Sequence, residues 1–159
     1  MEYKIIKKEA FDVIGKKTKI STKDGEHSRR IAEFWDECNN DGTCDKILTI
    51  SDGKNMFGIT LDFDGNTEQI TYMIGMENTS NSADNGFDII KIPAATWAVF
   101  KSIGPIPESI ANTWASIFQE WFPETGFLHD DAPEIEVYNA GNTRALDYEC
   151  EAWVPIINL

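Results

Sequence analysis

The chain has 159 residues, 42% of them hydrophobic, which suits one compact domain or two small modules sharing a core. Its formal net charge of −13 repels phosphates and no long Lys/Arg cluster offsets it, so direct nucleic-acid binding is not expected. No apolar run approaches the roughly 20 residues that cross a bilayer, residues 1–8 carry no signal-peptide core, and three cysteines without a CxxC pair support neither a disulfide framework nor a zinc site. The expected setting is the cytoplasm, with reduced thiols, no membrane contact, no metal and no cofactor.

Residues 3–20 mix β-branched and charged side chains and read as one extended strand or two short ones, with Gly15 marking a bend. In 26–38, Ile31, Phe34, Trp35 and Cys38 recur at i, i+3, i+4 and i+7, the spacing of one helical face, and Asn39-Asn40-Asp41-Gly42 ends the run. Strands follow at 55–63 and 68–76, joined by the hairpin signal Asp64-Gly65-Asn66, and the polar stretch 77–86 reads as a loop. From Phe87 a strand broken around Pro93 leads through Gly104-Pro105-Ile106-Pro107 into a helix with Ile110, Trp114, Ile117, Phe118 and Trp121 on one face. Pro123 and Gly126 are expected to stop that helix. A loop with His129-Asp130-Asp131 and strands at 134–138 and 147–156 complete the chain. The order strand, helix, strand, strand thus occurs twice, in modules of about 1–80 and 87–159 within a single 1–159 domain, and the seam between them is the natural place for a pocket.

The last strand carries the most chemical information. Side chains two apart share a face of a strand, so Glu149, Glu151 and Trp153 project one way while Cys150, Ala152 and Val154 form core. A carboxylate beside an indole offers charge and a π face to one cation, and such a carboxylate is costly to bury unpaired. The competing reading of Glu151 is a residue facing solvent or bonded to a neighbouring tyrosine.

Five segments in order, Ile92-Pro-Ala-Ala-Thr-Trp-Ala-Val-Phe100, Gly104, Trp121-Phe-Pro-Glu-Thr-Gly126, Pro133-Glu-Ile-Glu-Val-Tyr138 and Glu151-Ala-Trp-Val-Pro-Ile156, resemble the GyrI-like small-molecule-binding family. That family includes the effector-binding domains of AraC-type and MerR-type bacterial multidrug regulators. The resemblance implies an α+β fold of two βαββ modules related by a pseudo-twofold axis around a central ligand pocket. It also implies a role for Glu151 as the acidic partner of lipophilic cations, with Trp153 as the aromatic of the same motif and Glu136 with Tyr138 as the "E.Y" pair. Trp97 stands where a tyrosine is more usual. Tyr72 and Trp35 are added for their expected proximity to the seam. Tyr138 reads equally as a cavity wall or a cross-strand partner, and Trp35, like Trp114, Phe118 and Trp121, lies on a stripe of the kind that usually forms core. With no room for a helix-turn-helix before the first strand, the domain is expected to stand free and to act through a protein partner or by sequestering its ligand.

The expected function is non-catalytic binding of a small hydrophobic or cationic molecule, with no catalytic residues assigned. Two rivals stand beside it. One is a hydrolase of small electrophilic compounds, with Glu151 as general base and Tyr138 or Tyr72 assisting. The other is a protein-binding module resembling the gyrase-inhibitory member of the family. His27 and His129 are expected at the surface, and no GxSxG, HExxH, P-loop or GxGxxG motif occurs in a convincing setting.

Overall fold

The computed structural model describes residues 1–51, 53–78 and 86–157 and has an α+β fold. In chain order its elements are β1 (Tyr3–Lys8), β2 (Phe11–Ser21), α1 (His27–Asn40), α2 (Thr43–Ile50), β3 (Met56–Asp64), β4 (Gln69–Glu77), β5 (Asp88–Ile92) and β6 (Ala95–Ile103). They continue with α3 (Glu108–Ser116), a π-helical turn (Ile117–Trp121), α4 (Phe122–Thr125), β7 (Leu128–His129), β8 (Glu134–Tyr138) and β9 (Glu149–Ile157). The chain forms two compact units, Phe11–Ile92 and Met1–Ala10 with Pro93–Leu159.

In the Phe11–Ile92 unit the antiparallel strand order is β3-β4-β2-β5. The predicted stripe of α1 does pack: Phe34 and Cys38 join Ile20, Ile70, Tyr72, Ile74 and Cys44, with Ile31 and Trp35 against them. Helix α2 had no counterpart in the sequence reading. Four of its eight residues, Thr43, Ile47, Thr49 and Ile50, are β-branched and give weak helical propensity. Burial of Cys44 and Ile47 stabilises it, as does the Asp41 carboxylate, which accepts the Thr43 N–H at 2.9 Å. Of the predicted 77–86 loop, residues 79–85 lie outside the described residues.

Gly15 marks no bend. It lies inside β2, opposite Gly75 of β4, and the break between the first two strands falls at Glu9 and Ala10 instead. A Cβ on Gly15 would stand 2.0 Å from the Ile74 carbonyl oxygen and 2.6 Å from the Gly75 Cα, so only a glycine lets the two backbones come this close.

The second unit has strand order β1-β6-β9-β8, with β7 also on β9. Residues 1–10, which the module division grouped with 1–80, supply β1 here, in register from Tyr3 opposite Phe100 to Lys8 opposite Ala95. Each unit is then a strand, helix, strand, strand array with one extra strand beside its first: β5 beside β2, and β1 beside β6. Ala98 and Phe100 of β6, alternate residues 150–156 of β9 and Ile110, Ile117 and Trp121 of the helix make its core. Trp121 meets Phe100 edge-on at 5.0 Å and stacks on Phe127 at 5.3 Å.

Pro123 does not end the long helix. It lacks an N–H, and in an α-helix its ring would press on the carbonyl four residues back. The chain widens just before it: the Phe122 N–H bonds to the Ile117 carbonyl five residues back, and the helix runs on to Thr125. Gly126, left-handed at φ 77°, is the true stop.

The Gly15 contact carries a prediction. Gly15→Ala should lower stability by about 2 kcal/mol or more, since backbone and not a flexible side chain must yield. Urea unfolding checks this, and a loss within 0.5 kcal/mol, the ordinary scatter of surface changes, would mean that the strands separate cheaply here.

Candidate functional site

Strand β9 alternates as its sequence implies: Cys150, Ala152 and Val154 are fully buried against the helix, while Glu149, Glu151 and Trp153 project from the other face. Glu151 Oε1 accepts the Trp153 Nε1–H at 3.2 Å, and the Trp153 ring lies 5.9 Å from Trp97. Trp97 has no accessible surface, and its Nε1 has no hydrogen-bond partner among the described residues. Lys101 is the cross-strand neighbour of Glu151 and lies 4.0 Å from Glu149, so a protein cation already stands among these carboxylates.

Register separates Glu136 and Tyr138 from that group. Glu136 pairs with Ala152 and Tyr138 with Cys150, which puts both on the helix-facing side of the sheet, whereas Val137 is opposite Glu151. There the Trp114 Nε1–H donates to Glu136 Oε2 and the Tyr138 hydroxyl to Oε1, both at 2.9 Å. Both donors are neutral, so they orient the carboxylate without cancelling its charge. Trp114 is the residue that the helical stripe hid. Ile110, Ile117 and Trp121 are buried in the core, but Trp114 lies at the stripe's margin, half-buried, where an indole N–H takes a polar partner.

In the Phe11–Ile92 unit, Trp35 Nε1–H donates to the Tyr72 hydroxyl at 2.9 Å. Tyr72 is buried and Trp35 only partly so, which joins these two candidates to each other by a direct bond.

His129 is at the surface, 35% exposed, yet closely held. Its Nε2 lies 2.8 Å from Glu134 Oε2 and its Nδ1 2.5 Å from the Asp130 carbonyl oxygen. Its ring stacks on Phe118 at 6.1 Å, and Phe118 stacks in turn on Trp114 at 6.1 Å. With an acceptor facing each ring nitrogen, the imidazolium is favoured: the Glu134 bond raises the pKa above its ordinary value, against the opposing effect of burial, and the Asp130 carbonyl adds to the rise. Among the described residues no group of three or more His, Cys, Asp or Glu side chains could hold a metal ion, and no helix is long and apolar enough to cross a membrane.

The sequence profile of Cass2, the integron-associated effector binding proteins, matches residues 4–156. The chain belongs to this family. Its GyrI-like character, carried by the motifs from Ile92 to Ile156, is thus established, and with it the nature of the chain as an effector-binding domain. No curated protein matches it. Among solved structures the fold is similar to SAV2435 bound to tetraphenylphosphonium, with TM-score 0.87, 23% identity and coverage of 99% of this chain and 95% of that one. It is also similar to the integron cassette protein VCH_CASS2 from the mobile metagenome of Vibrio cholerae, with TM-score 0.70, 11% identity and coverage of 98% and 95%. EcmrR in a DNA complex is a third, with TM-score 0.69, 14% identity and coverage of 99% of this chain and 58% of EcmrR. At these identities the likenesses establish the fold of the Cass2 chain alone.

The His129 contacts predict a pH dependence for this Cass2 protein. A histidine pKa raised by folding adds stability that is fully present below its unfolded value near 6.5 and is lost as pH rises through the folded value. The stability difference between wild type and His129→Gln should therefore shrink between pH 6 and pH 8, by roughly 0.5 kcal/mol once exposure is allowed for. Urea unfolding across that range reads it, and a constant difference would mean that Glu134 exerts no net pull on the proton.

Proposed function

We propose that the domain binds lipophilic cations without altering them chemically, with Glu136 as counter-ion and the Trp114 and Tyr138 rings beside it. The observation that carries this reading is the Glu136 carboxylate held between two aromatic donors, Trp114 at 2.9 Å and Tyr138 at 2.9 Å. These two donors are neutral and bring aromatic rings to the carboxylate, the combination that suits a bulky, weakly hydrated cation. The similarity to SAV2435, seen with tetraphenylphosphonium, supports the ligand class. Glu151 is the weaker candidate, because Lys101 faces it across the β6–β9 pair and its indole partner leans on a fully buried Trp97.

Cation–π contact would contribute about 0.5–2 kcal/mol, and buried apolar area about 25 cal/mol per Å². The affinity would thus come largely from burial and the selectivity for charge from the carboxylate. The hydrolase reading loses support from the same geometry. Tyr138 donates to Glu136 on the sheet face opposite Glu151, so it cannot assist Glu151.

Tryptophan-fluorescence titration with tetraphenylphosphonium and with neutral triphenylphosphine oxide tests the proposal. Glu136→Gln should weaken the cation at least tenfold, about 1.4 kcal/mol, with the neutral ligand less affected, and Glu151→Gln should leave both within about threefold. The reverse pattern would return the counter-ion role to Glu151. Absence of saturable binding in the wild type would overturn the ligand reading.

A further inference from the structure

A second acidic residue stands on the same face of β8 as Glu136, and it is the one that His129 holds. Glu134 and Glu136 are two residues apart on a strand, so their side chains emerge side by side, roughly 7 Å apart along the chain. Glu134 is bound by the His129 imidazole at 2.8 Å. The same imidazole stacks on Phe118, Phe118 stacks on Trp114, and Trp114 holds Glu136. Two routes therefore join His129 to the Glu136 carboxylate, one along β8 and one through the stacked rings.

The groups that face His129 are few. Glu134 comes from β8 and Asp130, with its neighbour Asp131, from the turn that follows the histidine. Among the described residues, the helix presents the neutral rings of Phe118 and Phe122, and β9 places Ile156 opposite it in register. Loss of the imidazolium proton thus uncovers the charge of Glu134 and removes a positive charge from the neighbourhood of Glu136.

We infer that His129 sets the charge preference of the site: protonated, it offsets Glu134 and weakens cation binding at Glu136, and deprotonated it strengthens that binding. The inference rests on the cation-binding reading above and adds a proton-operated control to it. One unit charge removed at about 10 Å, with a dielectric between those of a protein surface and water, corresponds to about a fourfold change in affinity. The elevated proton affinity of His129, which its contact with Glu134 produces, brings that change into the neutral range.

The test is titration of the full chain with tetraphenylphosphonium and with triphenylphosphine oxide at pH 5.5 and pH 8.5. In the wild type the cation should bind about fourfold more tightly at the higher pH while the neutral ligand is unchanged, and His129→Gln should abolish the difference. Because linkage is reciprocal, saturating tetraphenylphosphonium should lower the proton affinity of His129 in the wild type, moving the midpoint of its imidazole NMR titration down by about 0.6 pH unit. Cation affinity that is equal at both pH values, a pH effect that persists in His129→Gln, or an unmoved or upward midpoint would overturn this inference and leave the cation site standing. No saturable binding at either pH would overturn the cation site itself.

Discussion

The period-two alternation of β8 and β9, locked together in register, governs the chemistry of the second unit. Ala152 opposite Glu136 and Glu151 opposite Val137 mean that neighbouring positions on paired strands face opposite ways. A shift of β9 by one residue would carry Glu151 to the helix-facing side and turn Cys150, Ala152 and Val154 out of the core. The core therefore fixes the register, and the register decides which glutamate meets Trp114. Site and core are two faces of one packing arrangement.

The same alternation divides the acidic residues into electrostatically different groups. Glu149 and Glu151 share their face with Lys101, whereas Glu136 is bound by an indole and a phenol. A chain of net charge −13 has carboxylates in excess, so the sign of the charge distinguishes none of them. What distinguishes Glu136 is that an indole and a phenol, both neutral, bind its two oxygens, while an ammonium group stands beside Glu149 and Glu151.

Much of this was legible in the sequence where a local rule had a single outcome. The i, i+3, i+4, i+7 pattern from Ile31 to Cys38 could only be one helical face, and Glu149-Cys-Glu-Ala-Trp-Val could only alternate. The motifs from Ile92 to Ile156 carried the family, and with it the fold class. What escaped depended on partners distant in sequence. Helix α2 is made by packing against its propensity, and the partner of β1 is almost a hundred residues away. Gly15 looked like a turn glycine because its close neighbour, Gly75, cannot be inferred locally. Trp114 looked like core because helical spacing gives the side of the helix and not the depth, and the carboxylate that receives its N–H lies on another element.

The placement of β1 has a consequence for how the chain protects itself. Residues 11–92 make their own unit without it, whereas β1, synthesised first, has no partner strand until β6 has been made, and β6 has an open edge until Tyr3–Lys8 docks on it. The strand left uncovered, Ala95–Ile103, is rich in β-branched and aromatic residues with a single charge at Lys101, the composition that pairs readily with other chains. The strand that covers it is of the opposite character: Lys4, Lys7 and Lys8 line the new border. The amino-terminal six-residue strand thus acts as a charged hem, sewn onto the sheet from the far end of the chain, and it turns an adhesive margin into one that repels its own kind.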